Sequence, residues 1–412
     1  MFATESTPGL QENIYQISTF WKAARSLGYP SAVWRLPHTR KIKLLISVRQ
    51  GIQKMKPDLE TLPACFLLHS FATSSDNDAS MLEGDLIFTI ADTGQIEDTV
   101  NKLGEEHPLM KQFLEKAAQI SDKSNPEMVG KEWLFPAEAT GESAEERFKD
   151  SVRQAITSIK AGDLTKIVLS RTKTLKHAED FDPFQAFQKL HRAYPSAFVS
   201  LVNLPEQNEM WLGATPETLV SVDTAGIFRT TSLAGTQVAQ QPNGHEEEIR
   251  DIRWGQKEIH EQALVSRYIV ECFKKIRLRE YHESGPKTVK AGNLYHLRTD
   301  FVVNTHEVNF PELGTVMLRL LHPTSAVCGT PKEAALQFIS EKENYDRSFY
   351  SGYLGPVQVD QESALFVNLR TLRLSDGVAT LFAGAGITED SDPQREWEET
   401  EMKCETLLRV LI

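Results

Sequence analysis

The chain has 412 residues, of which 40% are hydrophobic, 25% charged and 8% aromatic, as in an ordinary globular protein. Its formal net charge of -12 argues against a nucleic-acid partner, because binding to phosphates needs clustered lysine and arginine. The same charge argues against binding to an anionic membrane, and no apolar run approaches the roughly 18 residues of a membrane-spanning helix.

The amino terminus and the cysteines bear on the cellular compartment. Residues 1–13 contain no basic stretch followed by an apolar one, so we expect no signal peptide and predict a cytoplasmic location. The four cysteines are widely spaced and form no CxxC motif: Cys65, Cys272, Cys328 and Cys404. We therefore predict free thiols rather than disulfides or a zinc site.

The first 120 residues mix predicted helices and strands. The amphipathic sequence 14–28 predicts a helix that ends at Gly28, and residues 100–120 also have helical spacing. Short runs between turn residues predict strands at 41–51, 64–72 and 84–94. The polar segment 121–145 predicts a surface crossing. We therefore divide the chain into an N-terminal α/β part of the same fold, 1–140, and a C-terminal part, 141–412.

The C-terminal part begins with a predicted helix, 144–162, and a predicted strand, 164–175. Further strand-like runs follow at 198–204, 210–216 and 226–236. Long helices are predicted from Glu246 to Lys275 and from Pro393 to the end. Strands that follow one another with few crossover helices favour an antiparallel or mixed sheet over a doubly wound one. The predicted fold class is therefore α+β.

The last helix carries acidic residues on a face that becomes apolar. Glu396, Glu399 and Lys403 share this face because they are spaced i, i+3 and i+7. The face continues to Leu407 and Val410. An exposed stripe of salt bridges is the usual interpretation of such a run. Carboxylates that enter a core need a partner, however, and a divalent cation is one candidate.

A further carboxylate lies on the other long helix. Glu261 shares a face with Val265, Tyr268 and Cys272, so it is either a surface glutamate or a residue of the interior. Two helices that each direct carboxylates inward would form a hard-cation site of the magnesium type. Whether the two helices meet depends on the fold.

Two residues are candidates for acid–base chemistry. Lys166 alternates with Ile167 along a strand, so Lys166, Val168 and Ser170 share one side. A strand lysine is commonly solvated, but one held in a desolvated cleft can act as a base. Glu217 follows a proline turn, and burial would raise its pKa enough for it to act as an acid. The alternative for Glu217 is a solvated loop carboxylate.

Small residues and one arginine indicate an anion-binding surface. The sequences LAGT (233–236) and FAGAGI (382–387) place glycine beside strands, where exposed N–H groups can bind a carboxylate. Such glycines also mark simple bulges. Arg370 is a candidate for a bidentate carboxylate contact, with a surface ion pair as the alternative.

The order of these motifs resembles that of the chorismate-utilising enzymes. The resemblance covers about residues 145–412 and depends on the following motifs taken together: KIVLSR, GATPE, LAGT, HEQALV, LLHPTSAVCGTPK, DRSFYSGYLG, FVNLRTLRL, FAGAGI and PQREWEETEMK. The family includes isochorismate synthase, salicylate synthase and the large subunits of anthranilate and aminodeoxychorismate synthases. It implies a single large α+β unit with layered, mostly antiparallel sheets flanked by helices.

The resemblance also implies roles for the motif residues. Glu261 and Glu399 match ligands that hold Mg²⁺ against the ring carboxylate of chorismate. Glu396 and Glu258 lie close to them in the sequence. Arg370 matches a group that binds the enolpyruvyl carboxylate. All residues implied to contact the substrate are Gly235, Thr236, His296, His322, Ala326, Tyr350, Arg370, Gly384, Gly386 and Lys403.

Lys166 distinguishes members of this family. Members that add water at C2 of chorismate are similar to this chain in carrying a lysine base, whereas anthranilate synthases lack it and use ammonia from a glutaminase partner. Glu217 matches the acid that protonates the departing C4 hydroxyl. The leading prediction is therefore a magnesium-dependent isochorismate synthase, an isomerase that acts without a glutaminase subunit.

Three alternatives stay open. Salicylate synthase shares Lys166 and Glu217 but also eliminates pyruvate. Ala326 argues against it, since those enzymes tend to have threonine there, although Tyr350 occurs in both kinds. Lys166 disfavours anthranilate or aminodeoxychorismate synthase component I, and the acid–base pair disfavours an inactive chorismate-binding homologue. Isochorismate serves both menaquinone and catecholate siderophore synthesis, and we expect a monomer that serves menaquinone synthesis.

Overall fold

The structure is a computed structural model, and it describes residues 17–72, 78–91, 95–121, 134–136, 144–238, 249–291 and 294–412. The helices within these ranges are α1 (Ile17–Ser26), α2 (Pro108–Ser121), α3 (Ala144–Ala161), α4 (Pro183–Ala193), α5 (Gln256–Lys275), α6 (Leu313–Leu321), α7 (Lys332–Lys342) and α8 (Pro393–Leu411). No helix in this part of the chain is long and apolar enough to cross a membrane.

The strands of the first half are β1 (Ser31–Arg35), β2 (Ile42–Ile46), β3 (Ile52–Met55), β4 (Cys65–His69), β5 (Ala79–Glu83), β6 (Leu86–Ile90), β7 (Ile96–Asn101), β8 (Leu134–Pro136), β9 (Lys166–His177) and β10 (Phe198–Leu204). The remaining strands are β11 (Glu209–Thr215), β12 (Thr218–Val222), β13 (Ile227–Val238), β14 (His282–Ala291), β15 (Leu294–Asn304), β16 (Gly329–Thr330), β17 (Tyr353–Val357), β18 (Ser363–Val367), β19 (Thr371–Ser375) and β20 (Val378–Ile387).

These strands form two large antiparallel sheets. The first has the order β16-β9-β20-β19-β11-β10-β1-β2-β6-β7, with β8 beside β9, and the second has the order β14-β15-β13-β12-β18-β17-β4-β5-β3. Helices flank both sheets, so the structure confirms the predicted α+β class.

Strands from the N-terminal part lie in both sheets. In the first sheet β1 pairs with β10, where Val33 lies opposite Leu201. In the second sheet β4 pairs with β17, where Leu67 lies opposite Gly355. The segment on which the division between the two parts depends lies mostly outside the described residues, as does the amino terminus. The division therefore stays a prediction.

The two sheets pack face to face through aromatic and aliphatic side chains. The ring of Phe198 on β10 stacks on Phe366 of β18, with ring centroids 4.1 Å apart. Successive residues of a strand point to opposite faces, so Trp34 enters this interface while Val33 packs into the core shared with α1, α2, α4 and α8. A third apolar cluster joins the second sheet to α3, α5, α6 and α7.

Several predicted elements end elsewhere in the structure. The first helix ends at Ser26, before the left-handed Gly28. The helix predicted over residues 100–120 begins only at Pro108. Residues up to Asn101 instead form edge strand β7, which pairs with β6. The first residues of the helix predicted from Glu246, 246–248, lie outside the described residues, and from Ile249 onward the helix begins only at Gln256, after Gly255 in extended conformation. The four cysteines are free and buried, as predicted.

Candidate active site

A polar cavity lies where β9 and β20 of the first sheet approach β13, β15, α5 and α8. It encloses about 670 Å³, counting its open mouth. Most of the predicted site residues line it: Lys166, Glu217, Gly235, Thr236, Glu261, His296, Ala326, Tyr350, Arg370, Gly384, Gly386, Glu399 and Lys403. The fold therefore brings together residues that are far apart in the sequence.

Lys166 occupies the start of β9 and faces the cavity together with Val168. Ile167 and Leu169 point to the opposite side and enter the apolar core, which confirms the predicted alternation. Lys166 is only 3% exposed and forms no ion pair with a carboxylate among the described residues. A buried ammonium or amine without a protein partner is placed to contact a ligand.

Gly386 makes room for the groups around Lys166. It lies opposite Val168 in the pairing of β20 with β9. A Cβ at this position would lie 3.0 Å from Glu261 Oε1 and 3.1 Å from Lys166 Cε, closer than ordinary contacts. The missing side chain thus lets the glutamate of α5 and the lysine of β9 approach each other across the strand.

Glu217 occupies the turn between β11 and β12 and is only 3% exposed. Burial raises the pKa of its carboxyl to about 8, although Arg370, Lys166 and Lys403 act to lower it. The backbone is fixed, because Val367 N donates to Glu217 O at 3.0 Å. Glu217 is therefore a protonated acid near neutral pH and not a solvated loop carboxylate.

His296 contributes a neutral imidazole. Its Nδ1 lies 2.7 Å from the carbonyl oxygen of Gly235, which can only accept, so Nδ1 carries the hydrogen. Burial, with a smaller contribution from nearby Arg370, lowers the pKa of His296 to about 3. Nε2 is buried and forms no hydrogen bond with a described residue. This nitrogen is thus available to accept a hydrogen bond from a ligand.

Arg370 provides a cation that is not paired with any other residue that the structure describes. Its guanidinium forms no hydrogen bond or ion pair within the described ranges, although it lines the cavity. Its backbone is left-handed, with φ of +47°, as is that of Ser351, with φ of +60°. Such conformations are costly for residues other than glycine and concentrate at functional sites. An arginine held in this way is suited to bind a carboxylate.

Ser351 is a lining residue that the sequence reasoning missed. It follows Tyr350 within the motif DRSFYSGYLG, and its backbone N–H donates to Asn368 O at 2.9 Å. The motif itself was the available signal, since it had already singled out the neighbouring Tyr350. The cavity is also lined by apolar residues that were not named as site residues, although several lie in the motifs singled out above: Val168, Pro216, Leu233, Ala234, Val327 and Leu369.

Helix α8 brings a lysine and a carboxylate into the cavity as a pair. Lys403 Nζ lies 2.7 Å from Glu399 Oε1 and donates to Gly384 O at 2.6 Å. Burial acts to raise the pKa of Glu399, but Lys403, Lys257 and Arg370 outweigh it, so the pKa is lowered. Glu399 is therefore an anion inside the cavity. The α8 face predicted from the i, i+3, i+7 spacing is an interior one.

Three predicted site residues do not line the cavity. Glu396 is buried behind it and pairs with Lys257, with Nζ 2.6 Å from Oε1. Glu258 is half-buried beside the cavity-lining Gly235. A Cβ added to Gly235 would lie 3.0 Å from the Cβ of Glu258. His322 ends α6, and its Nε2 lies 3.0 Å from Ser70 O.

The position of His322 differs from the one implied by the resemblance. Its ring packs against His69 and Tyr353, with centroids 4.7 Å and 4.9 Å away. Burial lowers its pKa, and His69 adds to the effect, so the imidazole is neutral. The ring therefore packs between α6 and the second sheet and does not line the cavity.

The carboxylates fit a magnesium ion bound partly by the protein. Glu261 and Glu399 reach the cavity from two helices, and both are hard oxygen donors. Glu396 Oε2, just behind them, is buried without a hydrogen bond of normal length to a described residue. In the ranges that the structure covers, no three acidic, histidine or cysteine groups come close enough to form a closed metal cage. Mg²⁺ commonly uses one or two carboxylates and completes its shell with water and substrate.

Comparison with known proteins shows which family the chain belongs to. A family model described as chorismate binding enzyme matches residues 59–412. The chain is 31% identical to a putative isochorismate synthase of Aeromonas hydrophila over 269 residues, and 32% identical to isochorismate synthase EntC of Escherichia coli over 270 residues. Each alignment covers 64% of this chain and 66% of the relative, just under two thirds of the relative's length.

A solved structure shares the fold over nearly the whole chain. It is that of MenF, the menaquinone-specific isochorismate synthase from Escherichia coli, with a TM-score of 0.73 and 21% sequence identity. The match covers 97% of this chain and 92% of that one. Together with the family match, it confirms the resemblance inferred from the motifs.

Proposed function

The chain belongs to the family of chorismate-binding enzymes, and we propose that it converts chorismate to isochorismate. One observation carries the proposal: a buried lysine, Lys166, and a buried protonated carboxyl, Glu217, line the same cavity. A base and an acid that face one substrate are what a water addition coupled to loss of a hydroxyl needs. The named activities of the relatives support the same reaction.

In the proposed reaction Lys166 takes a proton from a water molecule as that water attacks C2 of the ring. The ring double bonds shift, the C4–O bond breaks, and Glu217 protonates the departing hydroxyl so that it leaves as water. The product is an isomer of the substrate because one water enters and one leaves. Acid–base steps of this kind typically contribute roughly 10²- to 10⁴-fold each.

The substrate is a dianion, and the cavity offers separate partners for its two carboxylates. Arg370 is free to form a bidentate contact with the enolpyruvyl carboxylate beside Tyr350. Glu261 and Glu399 would hold Mg²⁺, which would bind the ring carboxylate and offset its charge. The backbone at Gly235, Thr236 and Gly384 would provide close contacts to the same carboxylates.

Ala326 is the residue that favours isochorismate over salicylate as the product. It lines the cavity with a single methyl group, at a position where salicylate synthases tend to carry a hydroxyl. Lys166 favours water over ammonia as the nucleophile, so no glutaminase subunit is expected. A monomer that serves menaquinone synthesis stays a prediction.

Product analysis by liquid chromatography tests the proposal. Purified protein is incubated with chorismate in ammonium-free buffer, with Mg²⁺ or with a chelator. We expect isochorismate without pyruvate, and only in the presence of Mg²⁺. Salicylate with pyruvate would identify a salicylate synthase. Product that forms only after ammonium is added would identify an aminating enzyme, and unchanged chorismate in all samples would contradict catalysis.

A further inference from the structure

Lys257 lies one helical turn before Glu261 on α5, and it reaches across to α8. Its Nζ lies 2.6 Å from Oε1 of Glu396, a carboxylate that is only 1% exposed. The lysine side chain itself is 30% exposed. The ion pair between Lys257 of α5 and Glu396 of α8 therefore links the two helices that carry the candidate metal-binding carboxylates.

The surrounding charges make this lysine more than a local ion pair. Lys257 lies one turn before Glu261 on α5, and its partner Glu396 lies one turn before Glu399 on α8. Two of these carboxylates are the ones that line the cavity and would hold Mg²⁺. The ammonium group thus interacts with the same negative charges as the proposed metal ion.

We propose that Lys257 is an internal counter-cation, which holds the carboxylates of α5 and α8 together in the metal-free protein and competes with Mg²⁺ for them. The inference depends on the magnesium site of the proposed function. Glu396 and Glu399 are neighbours three residues apart on α8, so their negative charges repel each other, and a buried carboxylate without a cation is costly. Lys257 relieves that repulsion before the metal ion binds.

Competition has a consequence for the order of binding. With Lys257 and Lys403 in place, the three carboxylates keep only a small net negative charge. Mg²⁺ alone should therefore bind weakly to the free protein. A dianionic substrate restores negative charge beside the carboxylates, so it should raise the affinity for Mg²⁺, and by linkage Mg²⁺ should raise the affinity for the substrate.

Lys257 also has room to move away from the carboxylates. It lines a second cavity on the outer side of α5, together with His260, Glu389 and Asp390. The acidic residues there offer an alternative partner for the ammonium group. The side chain can thus turn toward this cavity when a metal ion takes over the charge of Glu399 and Glu261.

The test is a calorimetric titration of MgCl₂ into substrate-free protein. Lys257→Met removes the charge and keeps a side chain of similar length, Lys257→Arg keeps the charge, and Lys274→Met removes an exposed lysine at the far end of α5 as the control. We expect Lys257→Met to lower the Kd for Mg²⁺ at least about fivefold, the low end of typical coupling between sites. Lys257→Arg and Lys274→Met should keep the wild-type Kd.

Thermal unfolding provides a second readout. In chelator, Lys257→Met should have a lower Tm than wild type, and Mg²⁺ should raise its Tm by more than it raises that of wild type. A lysine with a merely structural role would lower the Tm equally with and without Mg²⁺ and leave the Kd unchanged. That outcome, or the absence of Mg²⁺ binding by wild type and variant alike, would overturn the proposal.

A double variant covers the case in which Lys257→Met does not fold without metal. Lys257→Met combined with Glu396→Gln removes the ion pair and leaves no unpaired buried charge. Its Kd for Mg²⁺ should be no higher than that of wild type, and a higher Kd would overturn the proposal. Because neither readout uses chorismate, failure of this inference can be distinguished from failure of the proposed reaction.

Discussion

Burial sets the protonation states of the residues that would perform the chemistry. Glu217 is a neutral acid because its site excludes water, and His296 is a neutral imidazole for the same reason. Glu399 shares the cavity but is an anion, because Lys403, Lys257 and Arg370 together outweigh the effect of burial on its pKa. Glu217 and Glu399 thus have different protonation states in one cavity because their surroundings differ, so they are suited to different roles.

The role of Lys166 can be tested by its removal. We expect Lys166→Ala to lower kcat by roughly 10²- to 10⁴-fold, because the attacking water loses its base. Steady-state kinetics with chorismate and Mg²⁺ measure the effect. Lys176→Ala, an exposed lysine on the same strand, is the matched control and should keep the wild-type rate. Wild-type turnover by Lys166→Ala would contradict the mechanism.

Glu217 should determine the alkaline limb of the pH–rate profile. Its pKa is raised to about 8, and the reaction needs the protonated form, so kcat should fall as the pH rises through that value. Glu217→Gln keeps the shape of the side chain but cannot deliver a proton. We expect that variant to have low kcat and no decline near pH 8. A decline that persists in Glu217→Gln would assign the limb to another group.

At the scale of elements, the site depends on which strands and helices meet. The sequence predicted that Lys166 and Val168 share one side of their strand, and it left open whether the acidic face of α8 is exposed or buried. It could not predict that Val168 lies opposite Gly386, because this register joins segments that are far apart in the chain. The motif resemblance indicated which residues share the site, and most of them line the cavity, whereas the ring of His322 packs against His69.

Two elements were missed because of their burial or their length. Strand β1 is buried on both faces, because helices cover one side and the second sheet covers the other, so its hydrophobic residues do not alternate with polar ones. Helix α6 is amphipathic but has only 9 residues, fewer than the window from which a helical period is usually read. The start of α5 was placed too early because Gly255 was not recognised as its N-cap.

Gly386 offers a test of the close approach between β20, β9 and α5. An added methyl would lie 3.0 Å from Glu261 Oε1 and 3.1 Å from Lys166 Cε. The two side chains would have to move by a few tenths of an ångström to restore ordinary contact distances. A misplacement of about 1 Å near reacting groups can cost on the order of 10²-fold in rate, so we expect Gly386→Ala to lower kcat by less than about 10²-fold while far-ultraviolet circular dichroism stays native. Unchanged kinetics would show that the two side chains can be displaced freely.

At the scale of the whole molecule, N-terminal strands complete both sheets. Strand β1 covers one edge of β10, and β4 covers one edge of β17. We therefore expect residues 141–412 expressed alone to be insoluble or unfolded, since both sheets would expose long apolar edges. Circular dichroism and a thermal melt measure this. A cooperative melt of the isolated part would instead support two independent domains.

The central claim is that water adds at C2 while the C4 hydroxyl leaves, and isotope labelling tests it most directly. The protein is mixed with chorismate and Mg²⁺ in ¹⁸O-labelled water, and the first product formed is analysed by mass spectrometry. We expect isochorismate with one ¹⁸O atom, located at C2. Unlabelled isochorismate would mean that the original hydroxyl migrates within the substrate, and it would contradict the roles assigned to Lys166 and Glu217.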